Sequence, residues 1–137
     1  MDVRDRAMAR AGQALARRQH SAAELHRRLA AVAPAEVVEG VVADLERLGY
    51  VDDGALARSL ASGRLAQGWG SLRVAHDLER LGIPAEAAAE ALAQAEAKEP
   101  GAAAALVRAR GLEADPRRAW ALLARRGFRE DAIEIDA

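Results

Sequence analysis

One short segment is written twice in this chain. Leu78-Glu79-Arg80-Leu81-Gly82-Ile83 returns 45 positions later as Leu123-Ala124-Arg125-Arg126-Gly127-Phe128, and a degraded copy stands upstream as Leu29-Ala30-Ala31-Val32-Ala33-Pro34. An apolar and basic run that closes on glycine and one large apolar residue is the ending of a helix whose last turn stops at a left-handed glycine, with the next side chain folded back onto it. Three such endings predict three related helical units, and repeated units of this size build binding surfaces more readily than catalytic pockets.

The residues between these endings support the same division. Arg4 to Arg18 reads as a first helix, and Ser21-Ala22-Ala23-Glu24 has the spacing of a capping box that starts a second. Pro34-Ala35-Glu36 opens a third, with Val37, Val38, Val41, Val42, Leu45 and Leu48 along one face, until Gly49 stops it. Asp52-Asp53 caps the next helix, Gly68-Trp69-Gly70 makes a turn, and Ser71 caps a helix that ends at Gly82. Pro84-Ala85-Glu86 then repeats the wording of Pro34-Ala35-Glu36. A further helix is expected from Pro100 to about Arg110, another after Asp115-Pro116 with Trp120 and Leu123 facing inward, and a last short one from Glu130 to Ile135. The expectation is an all-α chain of nine helices in three trios, divided as 1–49, 50–97 and 98–137, with hinges near Gly49-Tyr50 and between Ala97 and Gly101. Only 3% of the residues are aromatic, so the core must rest on Leu, Val and Ala, which suits closely packed helices.

The formal net charge of -1 conceals an uneven distribution. Residues 1–31 carry seven Arg against three acids and residues 101–129 seven against two, whereas residues 32–60 carry two Arg against six acids. The last eight residues hold four acids and no base. Basic patches at both ends are therefore expected, with solvation of outer helix faces as the plainer explanation. Arg17-Arg18, Arg27-Arg28, Arg117-Arg118 and Arg125-Arg126 are candidates for contact with acidic protein surface or phosphate, because the guanidinium fork can make two parallel hydrogen bonds to either. Arg64, Arg73 and Arg129 complete the candidate set. Neighbours on a helix point about 100° apart, so a pair rarely gives two contacts to one flat partner.

Several chemistries lack their residues. There is no cysteine, hence no disulfide, thiolate nucleophile or Cys-based zinc site. His20, His26 and His76 have no ligand spacing and are expected at the surface; Ser21 and Ser71 read as caps rather than nucleophiles. No Gly-rich loop followed by Lys-Ser or Lys-Thr is present, so ATP binding is not expected. Asp52-Asp53 reads as a helix cap rather than a carboxylate pair for catalysis or metal. Trp69 is either an exposed anchor or a plug in the seam between units, and the scarcity of aromatics favours the seam. No apolar run reaches the roughly 20 residues of a membrane span, and a charged start without a signal-peptide core points to the cytoplasm.

Tyr50-Val51-Asp52-Asp53-Gly54-Ala55-Leu56-Ala57-Arg58, Arg64-Leu65-Ala66-Gln67-Gly68-Trp69-Gly70 and Leu78-Glu79-Arg80-Leu81-Gly82-Ile83 together resemble the central block of the RecX family, regulators of the RecA recombinase. Leu15 to Leu25 is similar to the family's N-terminal block and Arg125-Arg126-Gly127-Phe128 to its C-terminal one, while Leu56 stands where the family usually has phenylalanine. The resemblance implies three tandem three-helix repeats in an elongated, curved array that lies along the groove of a filament of RecA on single-stranded DNA. It also implies inhibition of ATP hydrolysis, strand exchange and filament extension by a monomeric, non-enzymatic protein without cofactors. The alternatives are a helix-turn-helix-like protein that binds DNA directly, motivated by the basic ends, and a generic helical-repeat adaptor.

Overall fold

Chain order and packing order coincide throughout this molecule. The computed structural model describes residues 2–133. Its elements are α1 (Val3–Arg17), α2 (Ala22–Leu29), α3 (Ala35–Arg47), α4 (Asp53–Ala66), α5 (Ser71–Arg80), α6 (Ala85–Ala109) and α7 (Pro116–Arg125), followed by a 3-10 turn at Glu130–Ala132. The first three helices pack on one another, and α4, α5 and α6 do the same. The 3-10 turn returns to α6. The result is an all-α tandem array of three-helix units.

Each start has a local cause. Asp2 caps α1 by accepting from the Asp5 amide at 2.8 Å. The expected capping box on α2 is complete, with the Glu24 amide donating to Ser21 and the Ser21 amide donating to Glu24, both at 3.0 Å. Asp52 accepts from the Ala55 amide, and Asp115 accepts from the Arg118 amide with Pro116 in the first turn. The repeated endings are also present: Gly82 and Gly127 have φ of 70° and 79°, and Ile83 and Phe128 fold back to donate to Leu78 and Leu123. Ile83 and Phe128 are buried.

The helix count needs correction. Among the described residues there are seven α-helices and one 3-10 turn, because α6 runs unbroken from Ala85 to Ala109 through the stretch where a hinge and a fresh helix were expected. Pro100 removes one N–H from the ladder, but thirteen of the 25 residues of α6 are alanine, the strongest helix former. The first part of α6 closes the second unit, and its later part packs Ala103 with Leu123 and Phe128 in the third core. The line drawn between residues 97 and 98 falls inside this shared helix. The last helix shortens to Glu130–Ala132, and its expected end beyond Ile133 lies outside the described residues.

Four side chains sit elsewhere than the sequence suggests. Trp120 is 45% exposed, because α7 buries Ala119, Leu122 and Leu123 and places their neighbour about 100° off that face. Leu48, beyond the last full turn of α3, is exposed. His20 is buried at 4% exposure, with Nδ1 3.0 Å from the Arg18 carbonyl. Gly70, not Ser71, takes the N-cap of α5, and Ser71 is buried in its first turn.

Candidate partner-binding surface

The units are joined by two seams of the same design. At the first, Ser21 at the α2 N-cap donates its hydroxyl to the Leu81 carbonyl, and the Ala22 amide donates to Asp53 Oδ1 at 3.0 Å. At the second, the amide of Gly70 at the α5 N-cap donates to the Arg126 carbonyl at 2.8 Å, and the Ser71 amide donates to Glu99 Oε1 at 3.1 Å. In both, the cap residue reaches the carbonyl just before the glycine that ends the next unit's central helix, and the first-turn amide finds a carboxylate. Helix starts carry free N–H groups and helix ends free carbonyls, so each seam satisfies both at once. Asp53 thus ties units together, while its neighbour Asp52 is the cap.

Glu99 is the centre of the second seam. Its side chain is completely buried and accepts from the Ser71 amide, the Ser71 hydroxyl at 2.7 Å, the Arg129 amide at 2.9 Å and Arg129 Nε at 3.2 Å. That bond to Glu99 is the main reason the Arg129 guanidinium is held above its ordinary range. Trp69 lies beside it as expected of a seam residue: the guanidinium carbons of Arg73 and Arg126 each stand 4.4 Å from its ring centroid.

These contacts sort the eleven candidate arginines. Arg64 and Arg73 both bind Asp77, at 2.7 and 3.0 Å. Burial pushes the Asp77 carboxyl up, but the two guanidiniums outweigh it and leave it below the usual carboxylate range. Arg18 binds Glu24 at 2.7 Å; burial again acts upward on Glu24, and Arg18 with the Ser21 amide brings it below its ordinary value. Arg126 stacks on Trp69 and Arg129 holds Glu99, so five of the eleven are committed inside the molecule.

Arg17, Arg27, Arg28, Arg117, Arg118 and Arg125 are exposed and form no ion pair among the described residues. Arg27 and Arg28 both line one open depression of about 470 Å³ on the first unit, together with Arg10, His20, Glu24 and Ala31. Arg118 and Arg125, seven residues apart on α7, line a second of about 450 Å³ with Arg110, over Ala121 and Leu122. Arg117 is not among the residues lining it, and Arg126 turns to the seam, in keeping with the 100° step between neighbours. Arg10 and Arg110 were missed by sequence reasoning because each stands outside a doublet. Their partners come from other helices.

Among the described residues, no helix is long and apolar enough to cross a membrane, and no three of His, Asp and Glu gather where a metal ion could be held.

Comparison with known proteins places this arrangement. Residues 52–92, which span α4, α5 and the start of α6, match the family described as RecX, second three-helix domain. A regulatory protein RecX of Stenotrophomonas maltophilia (strain R551-3) is 38% identical over 126 residues, covering 87% of this chain and 77% of the relative. One from Xanthomonas campestris pv. campestris (strain B100) is 35% identical over 129 residues, covering 88% and 79%. The crystal structure of RecX from Lactobacillus salivarius superposes with a TM-score of 0.78 at 18% identity, covering 96% of this chain and 92% of that one, and so shares the fold. With that identity maintained across most of both chains, this protein belongs to the RecX family of regulatory proteins.

Proposed function

We propose that this regulator acts without chemistry, by binding the groove of the RecA filament on single-stranded DNA and inhibiting its ATPase, strand exchange and filament extension. DNA repair and the SOS response would be modulated through that inhibition. The observation that carries the reading is the pair of arginine depressions on the first and third units, which offers two separated contacts from one chain. Two weak contacts joined by a rigid body bind a repeating polymer far more tightly than either alone. Binding one filament state better than another is then enough to oppose the rearrangements that couple ATP turnover to exchange. Arg27, Arg28, Arg118 and Arg125 are the contacts proposed on these surfaces, with Arg17 and Arg117 beside them. Arg18, Arg64, Arg73, Arg126 and Arg129 act through the shape they hold.

The test is RecA's DNA-dependent ATPase with and without this chain, alongside binding to bare single-stranded and duplex DNA at two salt concentrations. Suppression at sub-stoichiometric amounts with little bare-DNA affinity is expected. Tight, steeply salt-dependent binding to bare DNA without suppression would instead establish a direct DNA-binding protein.

A further inference from the structure

A further surface shares Arg110 with the depression of Arg118 and Arg125 but is otherwise different in chemistry from the arginine depressions. An open groove of about 490 Å³ runs between the end of α4 and the later half of α6. Leu65 and Ala66 form one wall, and Ala102, Ala105, Leu106 and Ala109 the other. Gly68 lies in the groove too, and its bare α-carbon lets Leu106 pack close: a Cβ there would stand 3.2 Å from Leu106 Cδ1. Among the described residues three cations edge this apolar channel, namely Lys98, Arg110 and Arg126, and no carboxylate lines it. Lys98 and Arg110 are twelve residues apart on one helix, a separation of about 18 Å. Arg126 stacks on Trp69 as well as lining the groove, so the ring senses what happens there.

We infer that this groove binds an acidic amphipathic helix of a protein partner, about three turns long, with large apolar side chains against Leu65, Leu106 and the alanines and carboxylates toward Lys98 and Arg110. A nucleic-acid backbone suits the cations but has nothing to place on the apolar walls, whereas an amphipathic helix supplies both. Alanine at 102, 105 and 109 lets a second backbone approach closely, and cations at both ends of the channel fix where along the helix the carboxylates must lie. The occupant is defined by this chemistry and does not depend on RecA being the partner.

The full chain carrying Trp120→Phe leaves Trp69 as its sole indole. It is titrated with a synthetic helical peptide of about 15 residues bearing leucines on one face and glutamates toward both ends, and binding is followed by Trp69 fluorescence and by calorimetry. Controls are the same peptide with serine for leucine and a single-stranded oligonucleotide of similar length. Saturable binding of the leucine peptide is expected, abolished by Ala105→Glu and weakened at least tenfold by Lys98→Glu with Arg110→Glu. Both substitutions fall at exposed positions, and circular dichroism checks the fold. If Ala105→Glu fails to fold, the charge reversal decides alone. Absence of binding, equal binding of the serine peptide or the oligonucleotide, or indifference to these substitutions would overturn the inference.

Discussion

At the scale of single residues, the second seam rests on one missing side chain. A Cβ on Gly70 would stand 2.4 Å from both the Gly127 carbonyl oxygen and the Phe128 nitrogen, so Gly70→Ala must part the backbones of α5 and the turn after α7. The φ of Gly70 is -91°, a conformation alanine adopts freely, so the cost is steric alone. Gly49 makes the contrast: its φ is 84° and nothing stands within 4 Å, so Gly49→Ala costs only about 1–2 kcal/mol of left-handed strain. We expect urea unfolding to show Gly70→Ala as the more damaging, with a change in Trp69 fluorescence that Gly49→Ala lacks. Asp77 gives a second prediction. Its carboxyl is held below its unfolded value near 3.9, so it stabilises the fold fully above about pH 4 and loses that contribution as pH falls through the folded value. Asp77→Asn should therefore lower stability at pH 7 and reduce the further loss on acidification to pH 3, read from urea midpoints at both pH values.

At the scale of elements, α6 explains what local signals could and could not reveal. The capping box at Ser21 and Glu24, the glycine endings at Gly82 and Gly127, and the Asp115-Pro116 start were legible because each is decided within a few residues. Pro100-Gly101 misled because it carries the same kind of local signal, and alanine propensity together with distant contacts of Glu99 overrode it. The seams were not legible, since Ser21 meets Leu81 and Glu99 meets Ser71 and Arg129 across gaps of 60, 28 and 30 residues. For the same reason the doublets showed where positive charge is dense but not which arginines are tied down. The third unit depends on its seam more than the others. Among the described residues its buried apolar side chains are Ala103, Ala119, Leu122, Leu123, Phe128 and Ala132, half of them alanine, against ten buried residues in the first unit's core. Glu99→Ala would strand the Ser71 amide and hydroxyl in a buried site, a loss of about 1–3 kcal/mol for each donor left without a partner. Amide exchange should then rise first in α7 and the 3-10 turn while α1 to α3 keep their protection; uniform loss across all three units would contradict the modular packing.

For the whole molecule, the two arginine depressions matter only if the body between them keeps their separation. The seams supply that constraint, since each joins helix starts to helix ends through hydrogen bonds rather than through a loosely packed apolar face. With both ends engaged, the second contact is intramolecular, and joining two weak sites this way can raise affinity by roughly 10²–10⁴ over one. Reversing either end, by Arg27→Glu with Arg28→Glu or by Arg118→Glu with Arg125→Glu, should therefore raise the concentration needed for half-maximal inhibition of the RecA ATPase by at least tenfold. Reversing both should abolish inhibition, because no single-site binding remains to fall back on. Each cluster sits on exposed helix positions free of ion pairs among the described residues, so circular dichroism and thermal midpoints should stay close to those of the parent chain. Gly70→Ala separates geometry from charge: it leaves every arginine in place but loosens the link between the second and third units. Two-ended binding predicts that it too weakens inhibition, and that a lower salt concentration restores it less well than it restores the charge-reversed chains. If reversal at one end has the whole effect and reversal at the other none, the chain holds its target by a single face, and the spacing set by the seams has no part in inhibition.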